Sequence, residues 1–227
     1  MAVPATTGKL CTTIEEMKIG DYVAVSNDST HGHRLGTNGL SEIPVTGNSD
    51  GMGFYYFVKV DKGLLVSDRV TRHSISWDTL NSDRSIEGAV TIYGTTQGLR
   101  RSLTGGVAYA DEFGNMSLSD RGYGAWPLNN EWDNYIVNFP SKKIQSGKSL
   151  DDIFHIRRSS ASPYTWCQET PVNGLTSNLG AGTANNTYRI MRGLIDTHSE
   201  TATVSFSPSS INDSIRGFRP VFEYKEV

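Results

Sequence analysis

Two stretches of the chain gather the residue types that sugar recognition requires. In one, Tyr164, Trp166, Gln168 and Glu169 set aromatic faces beside amide and carboxylate groups. Aromatic rings stack on the C–H faces of a sugar, while a few fixed polar groups hold its hydroxyls. In the other, Asp196, Thr197, His198, Glu200 and Thr201 make a run with almost no apolar side chains. The candidate ligand-binding residues are therefore Tyr164, Trp166, Gln168, Asp196, Thr197, His198, Glu200 and Thr201. Trp166 has a second reading as a core residue, because tryptophan is usually well buried. Trp126 and Trp132 read as core.

The remaining reactive types are not spaced for catalysis, and no catalytic residue is assigned. Cys11 and Cys167 are far apart and form no Cys-x-x-Cys pair, so each reads as a reduced, buried thiol; their pairing in an oxidising compartment stays open. Cys167 has no neighbouring base to make it a nucleophile. Asp151 and Asp152 sit side by side, whereas a glycosidase needs an opposed acid and base. His31 and His33 would share one face of a strand, but Gly32 lies between them, and His198 stands alone, so no metal site is assigned. No cofactor is expected, although scattered Asp, Asn and backbone oxygens would suit a structural calcium. Arg189, Arg192 and Arg219 fit either an anion clamp or braces on strand ends.

The polar run is framed by two strand patterns. Tyr188-Arg189-Ile190-Met191-Arg192-Gly193 alternates with period two and stops at glycine, and Gly217-Phe218-Arg219-Pro220-Val221-Phe222-Glu223-Tyr224 supplies the second strand, with Pro220 restricting where it can pair. A segment held at both ends and polar between them is a loop presented by a scaffold, or else an ordinary surface excursion. Upstream, the β-branched and aromatic runs 54–60 and 64–70 flank Asp61-Lys62-Gly63 and predict a hairpin. A second hairpin is expected to turn at 111–115, and a short strand at 21–26 and another at 88–93. Thr12 with Glu15 and Thr13 with Glu16 match capping boxes, predicting one helical turn. Another capped turn is expected over 73–80. Trp132, Tyr135 and Ile136 fall at i, i+3 and i+4 behind an asparagine, the pattern of a short amphipathic helix.

Composition places these elements in a globular β-rich chain. With 227 residues there is room for one large domain or two small ones, and 23 Gly with 10 Tyr favour many turns and short strands. A net charge of −3 with scattered basic residues argues against a nucleic-acid partner. No stretch approaches the roughly 20 apolar residues of a membrane helix, so no membrane insertion is expected. The N-terminal residues lack a basic region followed by an apolar run; the expectation is no secretory signal and synthesis in a cytoplasm.

Trp166-Cys167-Gln168, then Tyr188-Arg189-Ile190-Met191-Arg192-Gly193, then Gly217-Phe218-Arg219-Pro220-Val221 occur in an order that resembles the C-type-lectin-like fold of formylglycine-generating enzymes and phage variable proteins. The resemblance spans about residues 124–224. The first half, with Asp50-Gly51-Met52-Gly53-Phe54-Tyr55-Tyr56-Phe57 and the 73–81 segment, resembles tail-associated or receptor-binding proteins of phages and prophages of Gram-positive bacteria. Together they imply an α+β, β-rich fold: an N-terminal tail over 1–11, a β-rich attachment and assembly region of hairpins over 12–123, and a C-type-lectin-like ligand-binding domain over 124–227. The implied function is a phage tail receptor-binding protein, located in the virion tail, that recognises a bacterial cell-surface polysaccharide or cell-wall glycan. Other tail proteins and a homotrimer are the implied partners. The resemblance also puts the two candidate stretches on one face and makes Arg189, Arg192 and Arg219 braces, a use that suits the guanidinium fork. The enzymatic members carry closely spaced active-site cysteines, which this chain lacks. A formylglycine-generating-type oxidase is therefore the lesser alternative, beside a purely structural tail or virion protein.

Overall fold

The computed structural model describes residues 3–156, 162–177, 182–193 and 204–226, so Asp196, Thr197, His198, Glu200 and Thr201 lie outside the described residues. Strands dominate and the helices are short, giving a β-rich α+β fold. In chain order the strands begin with β1 (Leu10–Cys11), β2 (Tyr22–Asp28), β3 (Gly32–Leu35), β4 (Gly53–Asp61), β5 (Leu64–Ser67), β6 (Arg72–His73), β7 (Ala89–Tyr93) and β8 (Thr96–Arg101). They continue with β9 (Ala108–Ala110), β10 (Met116–Ser117), β11 (Ala125–Trp126), β12 (Tyr164–Trp166), β13 (Tyr188–Arg192), β14 (Ser205–Pro208), β15 (Arg216–Phe218) and β16 (Val221–Tyr224). Helix α1 spans Trp77–Ser82 and helix α2 Asp151–Phe154, with a π-helical segment at Trp132–Val137.

The largest sheet has eight strands in the order β1-β2-β4-β5-β16-β8-β7, with β3 added against β2. Its β4–β5 hairpin turns at Lys62 and Gly63, where the sequence pattern puts it. Period-two alternation divides the side chains between two faces. Tyr55, Phe57, Leu65 and Phe222 point inward with Val23 and Val25, while Val58, Leu64, Val66 and Val221 point outward. The sheet curls until β3 approaches β7: the His33 and Tyr93 rings meet edge-on with centroids 6.2 Å apart. Inside, Phe57, Tyr93, Phe222 and Tyr224 form a chain of ring contacts, the closest at 4.8 Å between Tyr93 and Phe222. The outward apolar face is covered by Trp132, Ile136, Phe139, Ile153 and Phe154. Trp132 and Ile136 are buried as their spacing predicts, and the Tyr135 hydroxyl donates to Asp61 Oδ2 at 2.9 Å. Instead of an ordinary α-helix, the segment is π-helical.

A five-stranded sheet, β14-β13-β12-β15-β6, and a three-stranded sheet, β10-β9-β11, are the other sheets among the described residues. One face of the five-stranded sheet packs Trp166, Met191 and Phe218 against Trp77 and Leu80 of α1, whose first turn is capped by Ser76 Oγ accepting from Thr79 N–H at 3.1 Å. The other packs Ile190 and Phe206 against Ala108, Tyr109 and Ala125 of the three-stranded sheet.

The division expected at 123/124 does not separate the sheets. Strand β16 pairs with both β5 and β8 inside the first-half sheet, and β6 pairs with β15 at the edge of the five-stranded sheet. The edges of β5 and β8 would otherwise present unpaired N–H and C=O groups, and the C-terminal strand closes them. Nor do the first residues form a free tail: Ala5 is buried, and β1 runs parallel to β2. At 12–16 Glu16 Oε1 accepts from the Thr12 and Thr13 N–H groups in a turn without a helix.

Candidate functional site

Strand β12, which carries the first candidate stretch, is an interior strand, antiparallel to β13 and parallel to β15. Its three side chains are all buried. Trp166 is 0% exposed, and its Nε1–H donates to the Ile75 carbonyl at 2.9 Å. Of its two readings the core one holds: ring and donor are both used inside the protein, so no stacking face is left for a sugar. Tyr164 is buried in the same cluster. Gln168 is half-buried, and its Nε2 donates to the Ser102 carbonyl at 2.8 Å. Tyr164, Trp166 and Gln168 thus build the support, and the structure does not gather them into an open recognition surface.

The strands around the second candidate stretch are firmly fixed. Strands β13 and β14 pair antiparallel from Tyr188↔Pro208 to Met191↔Ser205. Gly193 has a φ of +120°, and a Cβ added to it would lie 3.6 Å from Tyr164 Cα and 3.7 Å from the Pro163 carbonyl oxygen. At the other end the Val204 carbonyl accepts from the Tyr109 hydroxyl at 3.2 Å. The arginines brace this frame. Arg192 Nη1 donates to the Gly105 carbonyl at 2.7 Å and Nη2 to Asp133 Oδ1 at 2.5 Å. Arg219 donates to the Ser67 carbonyl at 2.8 Å. Both guanidinium carbons lie within 6 Å of the Trp132 ring, at 5.8 and 5.9 Å. Arg189 lies over Trp77 at 4.3 Å.

A polar hub at Thr104 and Gly105 joins the three sheets. Glu131 Oε2 accepts from the Thr104 N–H at 2.9 Å, the Glu131 N–H donates to Thr104 Oγ1 at 2.8 Å, and the same carboxylate takes a two-pronged bond from Arg101 at 2.6 and 2.7 Å. Glu169 accepts from the Gly105 N–H at 3.0 Å. Burial pushes the Glu169 carboxyl up to about 7, against the Gly105 hydrogen bond, which lowers it. A Cβ on Gly105 would stand 2.5 Å from Cys167 Sγ and 2.8 Å from Arg192 Cγ, so this approach requires glycine. The Cys167 thiol is fully buried and held well above its ordinary pKa, chiefly by that burial, which deprives it of the accessible thiolate that nucleophilic chemistry needs. The sequence signal for this hub is Thr104-Gly105-Gly106 with Asn130-Glu131-Trp132-Asp133, which separation in the chain disguises as a turn and a helix start.

Exposed aromatic faces occur elsewhere. Among the described residues the exposed aromatic side chains are Phe113, at 79%, and Tyr123, at 52%. Phe113 occupies the β9–β10 turn, where the Asp111 N–H donates to the Asn115 carbonyl at 2.9 Å. Extending the β9–β11 register by two residues puts Tyr123 opposite Asp111. Exposed Leu128 lies against this turn at Gly114. An aromatic and aliphatic patch therefore caps the three-stranded sheet whose Tyr109 touches Val204.

Among the described residues no group of three or more His, Cys, Asp or Glu side chains is placed to hold a metal ion. His31 Nδ1 lies 3.2 Å from Asp28 Oδ1 at the surface, whereas His33 turns into the curled sheet against Tyr93. No helix among the described residues is long and apolar enough to cross a membrane. Comparison with protein-family models, with curated proteins and with solved structures finds no match.

Proposed function

We propose that the protein is a phage tail receptor-binding protein that adheres to a bacterial cell-surface glycan through a C-type-lectin-like unit in its second half. The observation that carries this reading is the frame on either side of the polar 194–203 stretch: β13 and β14 pair with each other, Gly193 lies beside Tyr164, and the Val204 carbonyl accepts from Tyr109. Recognition residues are commonly placed on loops that a rigid scaffold positions. The order of the Trp166-Cys167-Gln168, Arg192-Gly193 and Gly217-Phe218-Arg219 motifs supports the lectin-like assignment.

The stacking faces are assigned to Phe113 and Tyr123 in place of Trp166, and hydroxyl recognition to Asp196, Thr197, His198, Glu200 and Thr201. Several copies on one tail, as in a homotrimer, would convert weak single-site contacts into avidity. The test is binding of the purified protein, at its native oligomeric state, to a panel of intact Gram-positive cells and to the same cells stripped of surface polysaccharide. Saturable binding that disappears on stripping is expected. Incorporation into particles with no adhesion to any cells would overturn the reading in favour of a structural tail protein.

A further inference from the structure

Strand periodicity places one charged side chain on the wrong face of the curled sheet. Arg100 in β8 pairs with Phe222, an inward-facing member of the aromatic core, and so Arg100 also points inward. It arrives at one mouth of the curled sheet, in a slot of about 80 Å³ between this sheet, strands β6 and β15, and the end of α1. Arg100 is half-buried, and taking a cation even partly out of water is costly unless it is paired. Yet Arg100 makes no ion pair among the described residues: its Nη2 donates to Ser85 Oγ at 3.3 Å, its guanidinium lies 5.2 Å from the Phe218 ring centre, and its buried Nε–H has no partner.

One neighbour in the slot is also unsatisfied. Tyr55, 1% exposed, is not an orphan of the slot, because its hydroxyl interacts with the Tyr93 hydroxyl. His33 Nδ1 is buried without a partner. Burial, followed by the Arg100 charge, pushes His33 down to about 3, so it faces the slot as a neutral ring. Buried polar groups in folded proteins are almost always satisfied, and the Arg100 Nε–H and His33 Nδ1 beside one opening call for an occupant. Water filling the slot would satisfy dipoles, and Asp50 and Asp83, which also line it, make no ion pair with the guanidinium.

We propose that this slot binds a monoanionic oxyanion seated on Arg100, the carboxylate of a sugar acid or a phosphodiester. The slot is also lined by Arg72, whose Nε donates to the Ser49 carbonyl at 3.2 Å, and the limit to one charge comes from Asp50 and Asp83, which are exposed, offset the two guanidinium charges, and each have one oxygen already accepting a backbone N–H, from Met52 and Ser85 respectively. Their free oxygens repel a second negative charge and can accept hydroxyls on the body that carries the anion. Such a site stands apart from the loop-based adhesion reading and survives if that reading fails.

The test is an NMR titration of the isotopically labelled full chain at constant ionic strength with glucuronate, with dimethyl phosphate, and with methyl glucoside as a neutral control. Saturable shifts at the Arg100 Nε–H and at the side-chain amide of Asn27, which also lines the slot, are expected with one or both anions and not with the glucoside; which anion acts identifies the carboxylate or the phosphodiester. Arg100→Gln is expected to weaken binding by about tenfold or more, the loss of a charge-assisted hydrogen bond. Arg100→Lys, which keeps the charge, should retain part of the affinity, and Asp83→Asn should strengthen it by roughly two- to threefold through lost repulsion. Should Arg100→Gln not fold, the Asp83→Asn and Arg100→Lys variants decide. The proposal is overturned if neither anion gives saturable shifts at the slot, or if affinity is unchanged in Asp83→Asn and in whichever Arg100 variants fold.

Discussion

Trp166 shows how one residue's surroundings settle its role. Its indole fills the space between Ile75, Trp77, Met191 and Phe218, and truncation would leave a large cavity. Trp166→Ala is expected to destabilise the fold by about 3–5 kcal/mol, read by chemical denaturation, with Trp166→Phe costing less. Glu169 gives a pH prediction with a definite sign. Its folded-state value of about 7 lies above its ordinary 4.5. The folded state therefore keeps the proton while the unfolded chain loses it, so the stability contribution is complete below about 4.5 and is lost as pH rises through about 7. The loss is of the order of 3 kcal/mol, and Glu169→Gln should flatten stability over that window; an unchanged slope would contradict the assigned burial. At this scale the bracing arginines were legible from donor chemistry. The inward Arg100 was not, because its face is fixed only by the pairing of β8 with β16.

Elements with strong local patterns were readable from the chain. The β4–β5 hairpin, the β9–β10 turn and the spacing of Trp132 and Ile136 all follow from periodicity and turn residues. The hub was hidden because its parts, at Thr104, Glu131 and Glu169, are distant in sequence and meet only when the sheets pack. Gly105 tests that meeting. Gly105→Ala would press a methyl group onto Cys167 Sγ and Arg192 Cγ, and is expected to cost about 1–3 kcal/mol. Pairing it with Cys167→Ala should recover part of the loss, since removing Sγ relieves one of the two contacts. Simple additivity of the two changes would show that the contact is not where the structure puts it.

For the molecule as a whole, the two halves are woven together by β16 and β6. Composition cannot reveal such exchange, because a terminal strand carries no local sign of which sheet will accept it. Residues 1–123 expressed alone are expected to show no cooperative thermal transition, since the interior of the curled sheet would lose Phe222 and Tyr224 and its outer face would lose Trp132, Ile136 and Phe154. A cooperative melt of that fragment would restore the two-domain division.

The same interlocking fixes β13 and β14, the strands on either side of residues 194–203. The most direct test of recognition through that stretch compares binding isotherms on intact Gram-positive cells for the native protein, for Phe113→Ala/Tyr123→Ala, and for a variant with Asp196, Thr197, His198, Glu200 and Thr201 all changed to alanine. The account predicts at least about a tenfold loss of affinity in each variant, with thermal stability unchanged. Native-like binding by both folded variants would contradict it.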